Sequence, residues 1–139
     1  MIRRIPNWTH ALEATYKATK GKTFAWGSHD CTRSVADVIE AITGVDLMGE
    51  LRGRYHDKKS GVQLIKELGG FDDAVSNVLD PHFERCHPKK AAPGDVFYMN
   101  HEGCKTLGFI WFDGKPFVAF EGGWEPILKS SIVTAWRIP

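Results

Sequence analysis

Charge of one sign is missing from this sequence: 18 Lys and Arg against 17 Asp and Glu leave a formal net charge of +1 over 139 residues. That balance provides no field to favour nucleic acid or an anionic membrane. Short basic patches such as RGRY and HPKK therefore read as solvated surface. Cysteine is scarce as well. Three residues, an odd number without framework spacing, exclude a disulfide scaffold and point to a reduced, cytoplasmic setting. No apolar run approaches a membrane span, and the opening MIRRIPNW has no apolar core of signal-peptide length. Without repeats, low-complexity tracts or a linker, a single domain over residues 1–139 is expected. The 14 glycines mark turns, and none follows the strand, Gly-rich loop, helix order of a phosphate-binding fingerprint.

What is present divides into two halves of different character. Up to about residue 80 the pattern is helical. Asn7 is placed to cap a helix through about Thr19, with Trp8, Leu12 and Tyr16 recurring every fourth residue. Asp30 is a good N-cap for the next helix, whose stripe is Val35, Val38, Ile39 and Ile42 and whose end is Gly44. Ser60 opens a shorter helix with Val62, Ile65 and Leu68 inward, stopped by Gly69–Gly70. Asp72 caps a further piece with Val75, Val78 and Leu79, ended by Pro81. From about residue 93 the pattern turns to strands. PGDVFYMN is a turn and a strand, while TLGFIWF and KPFVAF flank Asp113–Gly114, a two-residue hairpin signal. EGGWEP turns the chain again, and ILKS and VTAWRI supply two more short strands. Helices first and an antiparallel sheet second predict an α+β domain.

The chemistry concentrates at FAWGSHDC, which places Cys31 directly after a helix-starting aspartate. A thiolate at the first helical position gains from exposed backbone N–H groups and the helix dipole, which lower its pKa. The charge of Asp30 works in the opposite direction. A cysteine hydrolase also needs a base, usually a histidine on another element, and a third group to orient that base.

With Trp26–Gly27, Asp30–Cys31, GDVFYM at Gly94–Met99 and TLGFIWFDG at Thr106–Gly114 in that order, the chain resembles the NlpC-type branch of the papain-like cysteine peptidases. A closer resemblance, from about Pro6 to Ile138, is to a small family encoded in phage tail-gene clusters. It rests on FAWGSHDC, TGVD, GRY, GDV, LGF and a terminal AWR. The resemblance implies a papain-like, NlpC-type fold. It further implies a component of the tail tip or baseplate of a long-tailed bacteriophage or prophage, made in the host cytoplasm and carried in the virion tail. Partners would be other tail proteins in a symmetric hetero-oligomer, with peptidoglycan as a further ligand to consider.

One departure from the peptidase pattern governs the functional reading. Thr106 occupies the position of the base histidine, and the orienting polar residue would fall near Val118 or Ala119. Threonine does not accept a proton near neutral pH, and valine cannot orient an imidazole. The expectation is a peptidase-like scaffold without activity. The alternative is an active hydrolase of peptide or amide bonds in the bacterial wall. Its catalytic pair would be Cys31 with His101, from the NHEGC turn, as substitute base, with His29 close in sequence.

No cofactor or metal is expected. His82, Cys86, His87, His101 and Cys104 would have to form any zinc site, but their spacing is neither a finger nor a ribbon. Solvated histidines and small half-buried thiols are the simpler reading. Trp26 and Trp136 are expected in the core. Trp111 and Trp124, near hairpin ends, suit either the core or a protein interface.

Overall fold

In the computed structural model, residues 2–21, 30–49, 51, 53–101, 103–120 and 123–139 are described, apart from the side chains of His101 and Cys104. Among the described residues four helices come first: α1 (Trp8–Thr19), α2 (Cys31–Thr43), α3 (Lys58–Glu67) and α4 (Phe71–Leu79). Six strands follow: β1 (Glu84–Cys86), β2 (Val96–His101), β3 (Cys104–Ile110), β4 (Pro116–Phe120), β5 (Gly123–Pro126) and β6 (Ile132–Arg137). They form one antiparallel sheet in the order β1-β6-β2-β3-β4-β5. The molecule is an α+β protein with N-terminal helices and C-terminal strands.

Helix α2 forms as its sequence dictates. The Asp30 carboxylate accepts the Arg33 N–H at 2.9 Å, and Gly44 ends the helix in the left-handed region at φ 78°. Val35, Val38, Ile39 and Ile42 are each at most 2% exposed, and burying each such side chain contributes roughly 1.5–3 kcal/mol.

Three helix details differ from expectation. Asn7 precedes α1, but its side chain makes no cap hydrogen bond. Helix α3 starts before Ser60, because Asp57 is its cap and Ser60 completes a reciprocal capping box at the third position. That register turns Gly61, Leu64, Ile65 and Leu68 inward and leaves Val62 exposed. Gly70, at φ 103°, takes the cap position of α4. Asp72 instead accepts the Tyr98 hydroxyl at 2.9 Å and the Lys105 ammonium at 3.1 Å, which ties α4 to the sheet.

Alternation along the strands builds two apolar faces. Val96, Tyr98, Leu107, Phe109 and Trp136 pack with the stripe of α2 and with Leu12 of α1. Phe97, Met99, Ile110, Val118 and Ala135 form a second cluster on the opposite face.

The strand expectations also need correction. Strand β1 has no counterpart in the sequence reading, since three residues at a sheet edge offer too little pattern. The segment GWEP is a strand, whereas ILKS is not; Lys129–Ser131 is a 3₁₀ turn. The β3–β4 loop has three residues rather than two: the Trp111 N–H reaches the Lys115 carbonyl at 2.9 Å, and Gly114 adopts φ 85° inside the loop.

An apolar cavity of about 80 Å³ lies between α2, the residue 47–55 connection, α3 and α4.

Candidate functional site

Cys31 is the first residue of α2, and the N-terminus of that helix meets β3. β3 pairs with β4 only from Gly108↔Val118 to Ile110↔Pro116. Beyond that ladder, the Leu107 N–H is free to donate to the Cys31 sulfur. The Thr106 hydroxyl and the Thr32 N–H are the other donors to it. All three would favour a thiolate. Burial outweighs them and pushes the thiol pKa up, and the neighbouring Asp30 charge adds to the rise. The residue keeps partial surface exposure; it is the density of protein around the thiol that disfavours the charge.

The helix start is held by a network centred on Asp30, which is 1% exposed. One carboxylate oxygen accepts the Thr32 hydroxyl and the Arg33 N–H, each at 2.9 Å, and the other accepts the Tyr55 hydroxyl at 2.6 Å. Burial, then the hydrogen bond and charge of Asp30, push the Tyr55 phenol pKa up. Asp30 therefore caps α2 and also ties the connection between α2 and α3 to it. Sequence reasoning identified Asp30 as a cap but assigned Tyr55 no role. A loop tyrosine 25 residues away carries no local signal of that pairing.

The structure brings Cys31 and Thr106 together, with the Thr106 hydroxyl at the sulfur. Thr106 is 3% exposed, and its hydroxyl is a donor there. Val118 and Ala119 are fully apolar and at most 2% exposed, so neither could orient a base. Among the described residues no imidazole is a partner of the sulfur. His101 ends β2, its backbone paired with Cys104. Its side chain, together with Trp26, Gly27 and His29, lies outside the described residues.

The GDV motif has a structural task. Asp95, 0% exposed, accepts the Ala92 N–H at 2.9 Å, the Ile138 N–H at 3.2 Å and the Arg4 guanidinium at 3.2 Å. Arg4 also donates to the carbonyls of Ile138 and Pro139, each at 2.7 Å. The carboxylate thus clamps the first and last described segments of the chain onto the turn before β2. Gly94, at φ 86°, makes room for the Arg4 guanidinium.

The remaining candidates are structural in their contacts. Trp136 is 1% exposed and donates to Asp80 at 2.8 Å, and Trp124, 7% exposed, donates to Thr19 at 2.8 Å. Trp111 is half-buried, with its ring 4.5 Å from that of Tyr16. His82 and His87 are exposed, and His87 Nδ1 accepts the Lys89 N–H. Among the described residues no three His, Cys, Asp or Glu side chains converge as a metal site.

A family model described as a domain of unknown function (DUF6950) matches residues 3–138, so the chain belongs to that family. No curated protein matches it.

Proposed function

We propose that this member of the DUF6950 family is a structural component of a bacteriophage tail tip or baseplate, built on an NlpC-type, papain-like scaffold that no longer catalyses. One observation supports the loss of chemistry: among the described residues it is the Thr106 hydroxyl, and no imidazole, that meets the Cys31 sulfur. Peptide hydrolysis by a thiol requires a group that takes its proton and later returns one to the leaving amine. Thr106 offers a hydroxyl that does neither near pH 7. The raised thiol pKa lowers the thiolate population further, below the few per cent of an ordinary cysteine.

The tail assignment rests on the order and spacing of the quoted motifs along nearly the whole chain. Its partners would be neighbouring tail proteins. The outermost strands β1 and β5 supply sheet edges for them, and Leu128 and Val133, 74% and 53% exposed, supply apolar contact.

The test has two arms. Mass spectrometry of finished particles from a phage or prophage carrying this gene should detect the protein at a few copies per virion. Purified protein incubated with peptidoglycan fragments should release no product that depends on Cys31. Absence from particles would remove the tail reading, and Cys31-dependent cleavage would remove the loss of catalysis.

A further inference from the structure

We propose that the cavity between α2, α3 and α4 is a binding site for a small uncharged apolar molecule, a single aromatic ring or a hydrocarbon chain of a few carbons. The site shares Thr32 and Leu107 with the surroundings of Cys31, but it does not depend on how that residue is read. Three of its lining residues are small, one from each helix: Ala36 of α2, Gly61 of α3 and Ala74 of α4.

Gly61 is the most informative of the three. It is buried, and it leads the inward stripe of α3. It is not among the glycines with positive φ, so no backbone requirement explains a glycine at that point. Glycine inside a helix is less stable than alanine there. Gly61 lines the cavity, so this stretch of the wall carries no side chain.

The wall selects the class of ligand. Of the residues that line it, only Thr32 and Tyr55 carry side-chain oxygen, and both hydroxyls are donated to Asp30. A water molecule in a cavity needs two to four polar partners, and a charged guest needs pairing. Among the described lining residues the wall supplies no charge, and its two hydroxyls can offer a water lone pairs but no proton. An apolar guest loses its hydration shell and gains close contacts with Ile39, Leu64, Val75 and Leu107.

Benzene added to the intact protein is the probe, with benzoate as its charged counterpart. Benzene should shift the methyl resonances of Ala36, Leu64 and Ala74 saturably. At tenfold excess over its dissociation constant it should raise the melting temperature by roughly 3–6 °C. Benzoate at the same concentration should do neither. Gly61→Ala, if it folds, should bind benzene about tenfold more weakly than the parent. Ala74→Leu, if it folds, should lose binding altogether. The proposal is overturned by absence of saturable shifts, by benzoate acting like benzene, or by undiminished binding in folded Gly61→Ala.

Discussion

Replacing Asp95 with alanine is expected to lower the melting temperature by roughly 10–15 °C, the largest loss from any single substitution considered. Removing one partner of a buried ion pair costs about 3–5 kcal/mol, because the other partner is left uncompensated. For 139 residues each kcal/mol corresponds to roughly 3–4 °C. The Ala92 and Ile138 N–H groups lose their acceptor in the same change, which adds to the cost. Arg4 is 18% exposed on its side chain and can turn partly to water, so Arg4→Ala should cost less than Asp95→Ala. Asp95→Asn retains an acceptor oxygen for one of the N–H groups and should fall between the parent and Asp95→Ala. Thermal unfolding of the three variants checks the order. A change of less than about 2 °C for Asp95→Ala would show that the clamp contributes little, against the usual cost of such a break.

Gly108→Ala is expected to destabilise by about 3 kcal/mol, the upper end of the usual range for overpacking. A β-carbon at this position would overlap the Phe117 carbonyl oxygen across the β3–β4 pairing and crowd the Phe97 ring and a Val118 methyl. A side chain can rotate away, but a paired backbone carbonyl moves only if the strands separate. The comparison is Gly114→Ala in the hairpin loop. There an added β-carbon meets nothing within 4 Å, so only the positive φ is penalised, by roughly 1–2 kcal/mol. Urea midpoints should place Gly108→Ala clearly below Gly114→Ala. Equal midpoints would mean that β3 and β4 separate at little cost.

Both expectations depend on partners distant in sequence, and this marks the boundary of what could be read from the chain alone. Helix α2 was legible in full, since Asp30, the 35-38-39-42 stripe and Gly44 are local signals within fifteen residues. The order of helices and strands was legible for the same reason. The starts of α3 and α4 were misplaced because Ser60 and Asp72 are both good capping residues, although in α3 the local capping box uses Asp57 as the cap and Ser60 as its third-position partner. At the site, Cys31 and Thr106 could be placed opposite one another through the resemblance. Periodicity alone would not have paired a helix start with a strand 75 residues later. The bonds from Asp95 to Arg4 and from Asp30 to Tyr55 were not legible, because no spacing rule connects a buried carboxylate to a partner in another element.

The burial of the Cys31 thiol also sets a direction for stability with pH. The folded protein holds the thiol proton more tightly than the unfolded chain does. The associated stability is fully present below the ordinary thiol value of about 8.5 and is lost as pH rises toward the raised folded value. Stability should therefore decline on the alkaline side rather than near neutrality.

Alkylation of Cys31 by iodoacetamide, followed by peptide mass spectrometry across pH, tests the central reading most directly. With Thr106 at the sulfur and no imidazole partner among the described residues, Cys31 should react no faster than Cys86 at pH 7. Its rate should rise with pH throughout the neutral range and still be climbing above about pH 8.5, where the rate of an ordinary thiol begins to level. Labelling of Cys31 at least about tenfold faster than Cys86, with a rate already level near neutral pH, would reveal a thiolate paired with a cationic base and contradict the account.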